Sequence, residues 1–114
     1  MGAGILDIVI EQGATFERVI RVTDPLNGLV NISDVTSARG QIRKAFPSGD
    51  SFAFTIAVTS AASGLLSWTM DAATSASIPV NTEQDWRYDI ELVRGLRVER
   101  ILQGIATISP EVTR

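Results

Sequence analysis

The sequence predicts an all-β domain, and three observations carry that prediction. Apolar and polar residues alternate with a period of two in most of the chain. These stretches recur at roughly 8–12-residue spacing between proline- and glycine-bearing turns, as in a sandwich or barrel. Residues 86–114 read as one long β-hairpin running to the end of the sequence. The expected total is seven to eight strands, with one short helix near residues 71–78.

In chain order, Leu6, Ile8 and Ile10 alternate with Asp7, Val9 and Glu11 in a first strand that Gly13 ends. In the next, Phe16, Ile20 and Val22 share one face and Glu17, Val19 and Arg21 the other. Arg18 falls on the apolar side of that register, which predicts a bulge or a paired arginine. The segment Asp24-Pro25-Leu26-Asn27-Gly28 is a turn, since proline presets φ and Asn-Gly accepts positive φ. After a short apolar piece at 29–32, residues 36–44 set Ala38, Gly40 and Ile42 against Arg39, Gln41 and Arg43. A second turn, Pro47-Ser48-Gly49-Asp50, precedes a strand carrying Phe52, Phe54, Ile56 and Val58 on one face. A small-residue loop at 60–64 leads to the strand of Leu66, Trp68 and Met70.

Residues 71–78 break the pattern: the segment is alanine-rich, opens on Asp71 and stops before Pro79, as one or two helical turns would. A loop at 79–85 then leads to the hairpin. Trp86, Tyr88, Ile90 and Leu92 alternate with Arg87, Asp89, Glu91 and Val93, Gly95 supplies the turn, and residues 98–108 return.

At 114 residues the chain is expected to be a single domain, 1–114, large enough for a core without staples. It has no cysteine and no histidine, which removes disulfides, thiolate metal sites and every Ser-His or Cys-His nucleophile pairing. Ten basic against thirteen acidic residues give a net charge of −3, the wrong sign for gripping a nucleic-acid backbone. All the basic residues except Lys44 are arginine, a type enriched at contact surfaces. A general bias toward arginine explains the same count. The N-terminus lacks a basic leader region, and no apolar run reaches the length of about 18 residues needed to span a membrane. The expectation is a chain made and assembled in a cytoplasm, with no cofactor, membrane or small-molecule partner.

Four pieces, in order, carry a family resemblance: residues 7–16 (DIVIEQGATF), 22–25 (VTDP), 37–44 (SARGQIRK), and 88–93 (YDIELV) with 103–113 (QGIATISPEVT). Together they resemble small virion structural proteins of tailed bacteriophages, related to the N-terminal domain of phage baseplate upper proteins. The resemblance spans nearly the whole chain. It implies an immunoglobulin-like antiparallel β-sandwich that attaches other parts of a particle, with partners among other virion proteins and copies of itself in a symmetric assembly. The baseplate upper proteins carry further domains, whereas this sequence stops at Arg114. The expected role is therefore a small adaptor of tail, baseplate or neck, located in the virion. Capsid decoration and a carbohydrate-binding module for host adsorption are the alternatives.

Candidate sites have competing explanations. Trp68, Trp86 and Tyr88 are the residues for a sugar-stacking platform, but their strand positions are those of core aromatics. Asp85, Asp89 and Glu91, or Asp24, Asn27 and Asp34, offer oxygens for calcium, yet a solvated strand face and a turn account for them. Paired carboxylates for hydrolysis are almost inevitable among thirteen, and no serine or threonine has an activating base, so no enzyme activity is expected. The row Arg39, Gln41, Arg43 and Lys44 is either a solvated face or an arginine-bearing partner surface. Met1, Gly2, Ala3, Gly4 and Ile5 either fray or add to a neighbour's sheet edge.

Overall fold

The computed structural model describes residues 4–23, 31–44, 51–80 and 82–112. The turns expected at 24–28 and 47–50, the piece at 29–30, and Met1, Gly2 and Ala3 lie outside the described residues. The strands are β1 (Gly4–Ile5), β2 (Ile8–Glu11), β3 (Phe16–Arg21), β4 (Ser37–Arg43), β5 (Ser51–Ser60), β6 (Leu65–Met70), β7 (Gln84–Arg94) and β8 (Arg97–Ser109). Among the described residues a single helix, α1 (Ala72–Ala76), interrupts them. The fold is all-β, as the period-two patterning predicts. No helix among the described residues is long and apolar enough to cross a membrane.

The strands form one curled sheet in the order β1-β8-β7-β4-β5-β6-β3, with β2 also on β8. The curl runs through β5, whose residues 51–54 pair with β4 while 55–60 pair with β6. The two flanks therefore meet across the core. Phe54 sits where β5 changes partner, its ring centroid 5.7 Å from Phe16, 5.3 Å from Trp68 and 6.2 Å from Tyr88. Trp68 on β6 and Tyr88 on β7 are not sheet neighbours, yet their rings lie 5.3 Å apart. Tilted and edge-to-face contacts of this kind add to simple area burial. Gly40 on β4 has its missing side chain filled by this cluster. A Cβ there would lie 3.0 Å from the Asp89 carbonyl oxygen, 3.1 Å from Ile90 and 3.4 Å from Phe54.

Three features depart from the sequence reading. First, β1 and β2 run parallel to β8, so the sheet is mixed where antiparallel pairing throughout was expected. Second, Gly4 and Ile5 pair with Leu102 and Gln103 of the same chain and so are neither frayed nor free on that side. Third, Arg18 produces no bulge and has no acidic partner among the described residues, since β3 pairs with β6 in unbroken register from Phe16 to Arg21. Its guanidinium lies 4.7 Å from the centroid of the Phe16 ring instead and donates to the Glu17 carbonyl at 2.8 Å. On an edge strand, stacking on an aromatic face lets an arginine cover the core while its charge stays wet. Register shifts fall instead in β5, at Thr59, and in β8, at Ile101, where both Ile101 and Leu102 turn onto the core.

Candidate partner-binding surface

Two polar networks close the ends of the N-terminal strand and fix what lies above them. Between β1 and β2 the register with β8 is kept and the Leu6 N–H still donates to the Gln103 carbonyl at 3.0 Å, but the Leu6 carbonyl and Asp7 leave the ladder. The Asp7 carboxylate accepts from the Ile105 N–H at 3.1 Å, taking the place of a backbone acceptor. The Leu6 carbonyl accepts from the Tyr88 hydroxyl at 2.5 Å, and this approach requires Gly104. A Cβ on Gly104 would collide with the Leu6 carbonyl oxygen and lie 2.8 Å from its carbon. Burial, with the Asp7 charge as a smaller contribution, pushes the Tyr88 phenol up to about 12, so the hydroxyl stays protonated and donating.

At the far end, the Gln12 side chain joins three segments. Its Nε2 donates to the carbonyls of Ile78 at 2.7 Å and Val80 at 3.2 Å, while its Oε1 accepts from the Glu111 N–H at 2.8 Å. Beside it the fully buried Ser75 of α1 accepts from the Gly13 N–H at 3.0 Å and donates to the Ala14 carbonyl at 2.7 Å. The helix is thereby locked to the β2–β3 turn. Asp71 caps it, accepting from the Thr74 N–H at 2.7 Å; hydrogen bonding from the Thr74 side chain, and then this backbone bond, holds its carboxyl below the ordinary carboxylate value.

The outer face of β4, β7 and β8, with β1 at its margin, forms a trough of about 900 Å³. Gln41, Arg43 and Lys44 from the predicted row line it, as does Ile5. Arg39 lies on the same face of β4 but is held by Glu91, directly opposite on β7, at 2.9 Å. The four members of the row are thus split between a closed ion pair and an open trough. Strand β7 adds Asp85, Arg87 and Asp89 to the lining, and β8 adds Arg100. Each carboxylate has a donor within the chain: Asp85 accepts from the Thr107 hydroxyl at 2.8 Å, and Asp89 lies 3.4 Å from the Arg100 guanidinium. Arg43 and Arg87 face each other directly across the β4–β7 pair. Among the described residues, neither they nor Lys44 has a carboxylate within 4.0 Å.

The β7 carboxylates were legible as a solvated face or as oxygens for calcium, because alternation reveals which residues point outward but not which strand lies beside them. Asp34, named with the calcium candidates, stands instead 3.6 Å from Arg94, and Asp24 and Asn27 lie outside the described residues. Among the described residues no group of three or more acidic, histidine or cysteine side chains is placed to hold a metal ion. Trp68 and Trp86 are 1% exposed and Tyr88 4%, so these aromatics fill the core and offer no stacking platform.

No family model and no curated protein matches the chain. Among solved structures it is similar to a sialyltransferase from Photobacterium damsela, with 7% sequence identity and a TM-score of 0.45. The match covers 96% of this chain but 18% of the sialyltransferase chain, a likeness too slight to carry an argument.

Proposed function

We propose that this chain is a non-catalytic assembly subunit of a tailed-bacteriophage particle, an adaptor in the tail, baseplate or neck. In this reading the curled sheet is a variant of the immunoglobulin-like sandwich, and other virion proteins and further copies of the chain are its partners. The observation that carries the proposal is the trough on β4, β7 and β8, a concave charged surface whose cations at one end lack partners among the described residues. A face of that kind suits docking against another protein, where arginine and carboxylate pair in fixed geometry. The absence of cysteine and histidine is compatible with a part that needs only surface complementarity. The resemblance of residues 7–16, 37–44 and 103–113 to phage virion proteins supplies the particle context.

Capsid decoration is the neighbouring reading, and copy number separates the two. Burial of Trp68, Trp86 and Tyr88 weighs against a carbohydrate-binding module. The test is absolute mass-spectrometric quantitation of the chain in particles purified from its source, relative to the major capsid protein. The adaptor reading expects a copy number far below that of the capsid protein. Parity with the capsid protein would favour decoration, and absence from particles would overturn the assignment.

A further inference from the structure

We infer that the basic end of the trough binds an extended acidic segment of a partner protein, with Arg43 and Arg87 as the paired anchors and Lys44 beside them. This inference rests on the assembly reading and names the chemistry of its partner.

Arg43 and Arg87 are directly opposed on β4 and β7, and like charges so placed repel each other. Within their own sheet that repulsion has a ready remedy, since Asp85 and Asp89 flank Arg87 on the same face of β7. Yet those carboxylates are turned away, Asp85 toward Thr107 and Asp89 toward Arg100. Asp7, also on the lining, is held by the Ile105 N–H. The anions of the trough are engaged from within, while its cations on β4 and at Arg87 face outward with no described partner. Two opposed guanidiniums form a fork for carboxylates, which arginine engages bidentately.

Shape and charge select the occupant. The trough, at about 900 Å³, falls in the size range of binding clefts, but seven of its thirteen lining residues are charged, where small-molecule sites carry only a few polar groups. Two concave faces do not fill one another, so a second copy docked trough to trough leaves a void. A nucleic-acid backbone needs a continuous cationic track, whereas Asp7, Asp85 and Asp89 lie along this lining and the chain carries a net charge of −3. A narrow peptide bearing two or more carboxylates meets all these constraints.

The test uses the full chain and a fluorescein-labelled oligo-glutamate peptide, read by anisotropy at low salt. Oligo-glutamine of equal length and a single-stranded oligo-dT serve as comparison probes. The inference expects saturable binding of oligo-glutamate that weakens as salt is raised, with little binding of either comparison probe. Loss of two charge-assisted contacts in the Arg43→Gln/Arg87→Gln double variant should weaken binding by about tenfold or more. Arg97→Gln, at the 74%-exposed hairpin end and outside the trough, should bind as the parent does. Because the double variant relieves a like-charge contact, its unfolding midpoint should not fall, which separates a binding role from a structural one. Equal binding by the double variant, no binding of oligo-glutamate, or equally tight binding of oligo-dT would each overturn the inference. A chain abundant in particles but indifferent to oligo-glutamate would refute this inference and leave the assembly reading standing.

Discussion

Gln12 offers the sharpest test of how this fold is held together. Its side chain, in a residue 8% exposed, satisfies two carbonyls and one N–H from segments 66 to 99 residues away in sequence. Gln12→Ala leaves the Val80 carbonyl and the Glu111 N–H without that partner, while the Ile78 carbonyl still accepts from the Val80 N–H at 2.9 Å. A buried polar group left unpaired costs about 1–3 kcal/mol, and water reaching the rim of the site reduces the sum, so the expected loss is about 2–4 kcal/mol. With a urea slope of about 1–1.5 kcal/mol per molar for a domain this small, the midpoint should fall by about 2 M. Trp68 and Trp86, each 1% exposed, report the transition by fluorescence.

The near-isosteric Gln12→Glu sharpens the test. It puts an oxygen where an N–H donor faced the Ile78 and Val80 carbonyls. The buried carboxyl is then better neutral than charged, so its folded-state pKa rises above the unfolded value of about 4.3. The protonated acid donates to one carbonyl, and that stability is present below the unfolded pKa and lost as pH rises through the folded one. Relative to the parent, the Glu variant should therefore be weaker at pH 7 than at pH 4. A Gln12→Ala midpoint within about 0.3 M of the parent, or a Gln12→Glu deficit independent of pH, would refute the clamp.

Three further outcomes follow from the same structure. Tyr88→Phe should lose about 1 kcal/mol in urea unfolding, the net worth of its bond to the Leu6 carbonyl. The parent's phenol is raised from 10.0 to about 12, so its stabilisation is complete below pH 10 and disappears as pH rises through about 12; the Phe variant should lack that alkaline loss. Gly104→Ala should cost about 2 kcal/mol by forcing the Leu6 backbone away, and hydrogen exchange at the Ile105 N–H should quicken as Asp7 is displaced. Asp71 has the opposite pH sign to Tyr88: its carboxyl is lowered, so its capping contribution is present above 3.8 and lost as pH falls through the lowered value. Asp71→Asn should blunt that acid limb in a circular-dichroism titration.

Alternation made most strands legible, because a half-buried strand leaves a period of two in its side chains. It gave β4, β6 and the β7–β8 hairpin nearly to the residue, and Asp71 before an alanine run gave α1. It did not reveal partners. Gly4–Ile5 is too short to show a period, and its parallel pairing with β8 depends on contacts nearly the full length of the chain apart. Gln12, beside the Gly13 that ends the first strand, and Ser75, inside the alanine-rich segment 71–78, do not stand out in the sequence, since neither signals locally which distant backbone it will satisfy. Arg18 broke the pattern, and the expected remedies were a bulge or an ion pair. Stacking on Phe16 was the third solution, one that edge strands permit because one side of the residue remains in water.

The same limit explains the trough. Arg43 belongs to a row visible in sequence, and Arg87 alternates visibly with Tyr88, but their opposition exists only once β4 and β7 are in register. That register is set by the inner faces, where Gly40 leaves room for Phe54 and Ile90 and where Ile42 stands opposite Tyr88. Sliding β4 by one residue would turn Arg43 into the core and Ile42 into water, so burial prevents the sheet from relieving the repulsion by shifting. Exchanging either arginine for a neutral residue would remove the repulsion without touching that core. An apolar interior thus holds two like charges together on the outside, and the outward face, which contributes little to folding, is where a partner's carboxylates have most to gain.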